Sequence, residues 1–493
     1  MAERQEAVAD HQDHSPDLAV TGEQVQHLEK RNNVMCRSNG LLLVRSLNDT
    51  QMRVFYQIRQ WCLNKVSGKH PPPLHVFITG GAGTGKSNLI KAIQYESIWL
   101  LSPLCSHPDN VSVLITAPTG FAAYNLNAAT IHHTFSIGVD IHLPYTPLGE
   151  EKINSLRTKF SDLQMLIIEE ISMVNHNLLA YIHGRLCQMK QSGNICVIAV
   201  GDFYQLPPVK GKPLYVEDFN IDLWSLFSVV QLTEVVRKKD TVFAELLNRV
   251  RTHRKKTPML KSDVDILKHC ETGEVSSALH IYATTQQVNE HNIQRLYDVC
   301  RDYVTIEAQD FQNNGRTGKL ELIQGHHAKA KNTSLAEQLL LGEGARVMLC
   351  QNVDVSDGLV NGACGVITQI VQSEGVKFPK MVYVKFDDEN VGAERRRQSP
   401  SVSAELVGST AFAPEEERVC KKGGLRRQYP LKLAWACTIH KVQGITVDDV
   451  VVCFERIFAG GQAYVALSRV RSLSGLIIEQ FDEDKIYCIS IFS

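Results

Sequence analysis

Gly80-Gly-Ala-Gly-Thr-Gly-Lys-Ser87 stands directly after the apolar run His75-Val-Phe-Ile-Thr79 and opens a helical pattern at Lys86. Strand, glycine-rich turn, Lys-Ser and helix, in that order, satisfy G-x-x-x-x-G-K-[ST] in the setting that gives the pattern its meaning. Glycines let successive backbone N–H groups close around phosphate oxygens, and the positive end of the following helix adds to the field. Gly80, Gly81, Ala82, Gly83, Thr84 and Gly85 are therefore the expected cradle. Lys86 is placed to reach the β and γ phosphates and Ser87 to ligate Mg2+.

Outward from this loop, short β-branched runs alternate with amphipathic stretches: Val111-Ser-Val-Leu-Ile-Thr116, Met165-Leu-Ile-Ile168 and Ile195-Cys-Val-Ile-Ala-Val200. Such alternation predicts βαβ units and a parallel sheet. A second α/β series follows, with a helical pattern at Val242, Phe243, Leu246, Leu247 and Val250 and strands near 279–283, 450–454 and 476–478. Between its halves, residues 344–430 have another texture, with short alternating strands and then a charged stretch, which predicts an inserted small β-barrel. Residues 1–44 are polar and nearly free of aromatics, a composition that predicts a disordered lead-in.

Composition bounds the rest. The 493 residues suggest two or three domains, and 44% hydrophobic with 21% charged content is that of a globular protein. No apolar run approaches the roughly 18 residues of a membrane span. The N-terminal stretch has no basic region followed by an apolar one, which predicts an intracellular protein. Thirteen scattered cysteines without a Cys-x-x-Cys pair argue against structural zinc. With a net charge of -1, nucleic-acid binding would need local basic surfaces: Arg237 to Lys239, His253 to Lys256, Arg395 to Arg397 or Lys421 to Arg427.

The strand Met165 to Ile168 ends in Glu169-Glu170, the place where ligands collect in a parallel sheet. One acid there can hold a hydrated metal and the other polarise an attacking water. Gly201-Asp-Phe-Tyr-Gln205-Leu-Pro-Pro208 follows another strand, with Gln205 placed to sense the γ phosphate.

These stretches join a longer series: Leu47 to Gln51, Ala117-Pro-Thr-Gly-Phe-Ala-Ala123, Thr130-Ile-His-His-Thr-Phe135, Leu232-Thr-Glu-Val-Val-Arg237, Thr438-Ile-His-Lys-Val-Gln-Gly444 and Tyr464-Val-Ala-Leu-Ser-Arg469. In order, the series resembles the motifs of superfamily-one helicases, specifically the RecD-like, petite-integration-frequency (Pif-type) DNA helicases and the helicase portion of Helitron transposon proteins. The resemblance implies an α/β fold of two RecA-like motor domains with an SH3-like barrel inserted in the second. The first would span 45–230, the second 231–343 and 431–493, and the barrel 344–430. It implies ATP with Mg2+ as cofactors, 5′-to-3′ unwinding of duplex DNA, single-stranded and forked DNA as partners, a nuclear location, and repair, recombination and telomere roles.

Residue roles carry over in the same way. Gln51 would bind adenine, Lys86 and Ser87 the phosphates and Mg2+, Glu169 the metal, and Glu170 would be the base. Arg237 and Arg469 would be arginine fingers from the second motor domain. Thr119, Phe121, Thr130, His132, His440, Lys441 and Gln443 would line a groove for single-stranded DNA. Two positions depart from the family pattern: Glu169 stands where Asp is usual, and the connector Gln188 to Asn194 is shorter and lacks a Phe-Gly element. The alternative these departures raise is an ATP- and DNA-binding relative with impaired hydrolysis, a transposon remnant. The first 44 residues have neither the length nor a His-hydrophobic-His motif for the endonuclease of a complete Helitron protein, so a motor alone is expected.

Overall fold

The computed structural model describes residues 35–107, 110–138, 140–190, 195–209, 211–218, 222–236, 240–272, 278–313, 320–323, 333–372, 378–398, 406–418 and 424–489. The described residues divide into two compact units, one comprising 35–272 and 443–489, the other 278–442.

The first unit is built on six parallel strands: β1 (His75–Gly80), β2 (Val113–Ala117), β3 (Ala129–Thr130), β4 (Met165–Ile168), β5 (Cys196–Gly201) and β6 (Ser228–Leu232), in the order β3-β2-β4-β5-β1-β6. Registers such as Ile78 against Val200 and Ile115 against Ile167 keep like faces together. Because successive side chains alternate across a strand, Val76 and Ile78, Val113 and Ile115, and Met165 and Ile167 face one core with Phe55, Ile58, Trp61, Leu89 and Ile93. Phe77, Leu114, Leu166 and Ile168 face the other with Phe135, Ile153, Phe160, Leu178 and Ile182. Burial on both faces explains why these strands read as continuous apolar runs.

The expected lead-in to residue 44 gives way to structure at its end, since Arg37–Arg45 is a helix. Its Leu43 and Val44 pack against the first core, and Gly40 sits so near the Tyr95 ring that a Cβ would lie 2.3 Å from it. Those apolar contacts outweigh the polar composition around them. Residues 1–34 lie outside the described residues.

In the same unit Val450–Cys453 pairs in parallel with Leu476–Glu479. The compact division therefore falls at Val442/Gln443, inside the stretch 431–493 expected to form one piece.

In the second unit Leu279–Tyr282 pairs in parallel with Ala436–Thr438, tied by Asn292 of the helix Thr285–Val299, which accepts from Ala436 N–H at 2.8 Å. Five antiparallel strands follow the order Thr410–Phe412, Met381–Phe386, Cys364–Val371, Arg346–Leu349, Leu431–Leu433. A further sheet joins Gln309–Asn313 to Leu425–Gln428 and that strand to Glu415–Arg418. The antiparallel region is thus wider than 344–430: its later strands pair with chain well before Gly344. The buried fork of Arg426 on Asp310, at 2.8 and 2.9 Å, pins that long-range pairing, a contact between residues 116 apart that local texture does not reveal.

Candidate nucleotide and phosphoryl-transfer site

The phosphate loop leaves β1 and enters the helix Lys86–Leu101. Gly83 and Gly85 both have φ of 76°, the left-handed region where glycine alone is unstrained. A Cβ on Gly85 would also lie 2.6 Å from Gln51 Nε2, so that position is closed sterically as well. Residues Gly83 to Asn88 with Val236 line a cavity of about 330 Å³.

Thr84 Oγ1 donates to Gly81 O, and Lys86 Nζ donates to Gly80 O at 2.8 Å and Gly81 O at 3.1 Å. Burial lowers the Lys86 pKa, opposed by the nearby charges of Asp202 and Glu170. A cation held among loop carbonyls at the mouth of an N–H cradle suits a phosphate.

Gln51, expected at adenine, is engaged at both ends of its amide. Its Oε1 accepts from Asn48 N–H at 3.0 Å, completing a capping box, and its Nε2 donates to Thr84 O at 2.8 Å. It ties the start of the helix Asp49–Val66 to the phosphate loop.

Ser87 Oγ donates to Glu169 Oε1 at 3.1 Å, so the two expected metal ligands meet. Burial, then the neighbouring Glu170, pushes the Glu169 pKa up to about 7. Glu170 has φ 49° and ψ 45°, an uncommon conformation for a residue with a side chain. Burial raises its pKa too, against Lys86 and Arg469. Its Oε2 is buried and, among the described residues, without a hydrogen-bond partner. A strained backbone and an unsatisfied buried carboxylate together are what a functional site retains. A hydroxyl beside two carboxylates at a strand end fits a hard divalent cation.

Gln205 is buried and receives Gln443 Nε2 on its Oε1 at 3.4 Å; the same nitrogen lies 3.4 Å from Ser172 Oγ. Gln443, expected on DNA, therefore belongs to this site: a buried amide finds its partners among the other polar side chains here.

Arg469 directs Nε to Val465 O at 2.8 Å, Nη2 to Ser468 Oγ at 2.7 Å and Nη1 to Ile445 O at 3.3 Å. It lies in the same compact unit as the phosphate loop, which brings its charge to bear on Glu170. Arg237 lies outside the described residues, though Val236 N–H donates to Gly83 O at 3.0 Å and carries that motif to the loop.

Of the expected DNA contacts, Thr119 N-caps Gly120–Asn125 and Thr130 N-caps Ile131–Thr134, following β2 and β3. Phe121 and His132 are half-buried on those two short helices. His440 and Lys441 are half-buried in the second unit.

Sequence reading passed over Asp202, Tyr464 and Arg251 as individuals. Arg251 donates Nε and Nη2 to the two oxygens of the fully buried Asp202, both at 2.8 Å, and Tyr464 Oη donates to Asp202 Oδ2 at 3.1 Å. Arg251 was within reach: it continues the row Phe243, Leu247 on the buried face of Thr241–Thr252, and a charge on such a row signals a buried partner.

The chain matches the PIF1-like helicase family model over residues 46–259 and the model described as DNA helicase Pif1, 2B domain, over 331–370. It is 34% identical over 440 residues to the ATP-dependent DNA helicase PIF1 of Danio rerio, covering 85% of this chain and 60% of that protein. The crystal structure of Pif1 helicase from Candida albicans superposes with a TM-score of 0.62 and 27% identity, covering 90% of this chain and 96% of that one. That of Pif1 helicase from Bacteroides in complex with ADP-AlF3 and ssDNA has a TM-score of 0.62 and 24% identity, covering 90% and 94%. The chain spans about three fifths of the length of its curated relatives. The parallel sheet, the phosphate loop and these superpositions agree on the RecA-like α/β motor fold. With sequence, site and fold in accord, residues 46–259 belong to the PIF1-like helicase family.

Proposed function

We propose that this protein is an ATP-dependent DNA helicase, which couples ATP hydrolysis to 5′-to-3′ movement along single-stranded DNA and opens forked duplexes. The observation that carries the reading is the convergence, in one compact unit, of Lys86, Ser87, Glu169, Glu170, Gln205 and Arg469 around the phosphate loop. The loop N–H groups and Lys86 bind and orient the phosphates. Ser87 and Glu169 would hold Mg2+, which when bound neutralises phosphate charge. Glu170, kept basic in a dry site, orients and deprotonates the attacking water. Arg469, and with it Arg237, places a cationic fork on charge that grows during transfer. Thr119, Phe121, Thr130, His132, His440 and Lys441 grip the strand through phosphates and base stacking, without sequence preference. The antiparallel strands around Arg346–Leu349 are the SH3-like subdomain of this family.

The second reading, a relative that binds ATP and DNA but hydrolyses poorly, is favoured by one observation: Glu169, longer than the usual Asp, titrates near neutrality. ATP turnover with and without single-stranded DNA separates the two. Under the helicase reading DNA stimulates turnover, Lys86→Ala abolishes it, and a forked duplex is unwound. Absent turnover that Glu169→Asp restores, with DNA binding intact, would establish the second.

A further inference from the structure

The helix Gln462–Leu467 serves the site twice. Tyr464, from its middle, reaches the phosphate loop, and Arg469 follows its C-terminal end with its guanidinium hydrogen-bonded back to Val465 O. The Tyr464 hydroxyl accepts from Ala82 N–H at 3.0 Å and donates to Asp202 Oδ2 at 3.1 Å. A phenol has one proton, so donation to Asp202 turns a lone pair toward Ala82.

Asp202 is itself immobilised by the Arg251 fork at 2.8 Å on each oxygen, and the Arg251 guanidinium lies 4.4 Å from the centre of the Tyr204 ring. All three members are buried: Asp202 at 0%, Tyr464 at 2% and Arg251 at 6% exposure. The loop backbone is seated on the same helix as Arg251, for a Cβ on Gly81 would lie 2.3 Å from Asn248 Oδ1 and 3.3 Å from Arg251 Cδ. A buried ion pair gains little stability over an apolar filling of the same space. What this one supplies is orientation.

We propose that Tyr464 and Arg251 are positioning residues for phosphoryl transfer: through Asp202 they fasten the phosphate loop to the helix that delivers Arg469, registering that guanidinium relative to Glu170. Because Arg469 is bonded to its own helix, any slip of the helix along the loop is a slip of the fork.

The inference rests on the hydrolytic reading above, and a double-mutant cycle on the full chain tests it. DNA-stimulated ATP turnover is measured at steady state, with ATP varied in excess over enzyme, for the parent, Tyr464→Phe, Arg469→Ala and the pair. Tyr464→Phe lowers kcat about ten- to a hundredfold, the scale of an ångström misplacement of a reacting group. The KM for ATP stays within about twofold, since ground-state phosphate contacts remain, and turnover is read well below the melting temperature, which falls by a few degrees as the buried hydrogen bonds are lost.

In the Arg469→Ala background the same substitution changes kcat by less than about twofold, because no fork remains to be positioned. Arg251→Lys, which keeps the charge and loses the fork, gives the same pattern and stands in should Tyr464→Phe misfold. An unchanged kcat in Tyr464→Phe, a loss that tracks the melting temperature, or equal losses in both backgrounds overturns the inference. A parent without turnover refutes the hydrolytic reading and this inference with it, whereas an active parent with equal losses refutes the inference alone.

Discussion

Glu169 and Glu170 are adjacent carboxylates whose surroundings set their behaviour, and both titrate above the ordinary range. For Glu169 the consequence has a definite sign. With a folded pKa of about 7 against an ordinary 4.5, the native state binds more protons than the unfolded chain between those values. Stability of the metal- and nucleotide-free protein therefore falls as pH rises from about 4.5 to about 7, and the loss is complete above that. Glu169→Gln removes the dependence: it matches the parent near pH 4.5 and exceeds it at pH 8 by up to about 3 kcal/mol, read by urea unfolding at the two pH values. If Glu169 holds Mg2+ as proposed, the ion displaces the same proton, and its affinity for the nucleotide complex climbs through pH 6 to 8, which calorimetry in buffers of different ionisation enthalpy resolves. Glu170→Gln keeps the shape of the site and removes the proposed base; under the proposed hydrolytic function turnover falls by about a hundredfold or more while nucleotide affinity, measured by equilibrium binding, persists.

Among the elements, the helix Asp49–Val66 shows how a local signal acquires a distant task. Asn48 and Gln51 form a capping box legible as Asn-x-x-Gln, and Asn48→Ala costs about 1 kcal/mol, as caps generally do. Gln51→Ala removes the box and the bond to Thr84 O together, so it costs more, about 2 kcal/mol, and weakens nucleotide binding where Asn48→Ala does not. Denaturant titration alongside nucleotide binding distinguishes the two. The short helix Arg37–Arg45 is held by packing: Gly40→Ala drives a methyl into Tyr95 and destabilises its docking by about 1–3 kcal/mol, seen as faster amide exchange over 37–45.

At the scale of the whole molecule, the unit that holds the phosphate loop is assembled from two stretches of chain separated by the entire second unit. A chain ending at Val442 keeps the loop and the acid pair but loses Tyr464, Arg469 and the strands Val450–Cys453 and Leu476–Glu479. Under the proposed function it is expected to lose hydrolysis entirely, and to bind a hydrophobic dye through the apolar face of Thr241–Thr252 against which the buried helix Gln462–Leu467 packs, as a fluorescence titration would report. In the second unit Asp310→Ala leaves Arg426 buried without its partner and costs about 3–5 kcal/mol by thermal unfolding.

What the sequence determined by itself was whatever is local or strictly ordered: the loop Gly80–Ser87, whose glycines and Lys-Ser act on their own backbone; the apolar strands of the parallel sheet, buried on both faces; and the acid pair at a strand end. Tertiary structure decided what depends on distance in the chain. Gln51 proved to be a tether within the fold, Gln443 a partner of Gln205, and Asp202, Arg251 and Tyr464 a buried chain across 262 residues of sequence. The spread of the antiparallel strands beyond 344–430 was decided there too. The reason is physical: propensity and periodicity report which surface a residue buries, whereas a polar partner is chosen by geometry once the surfaces have met.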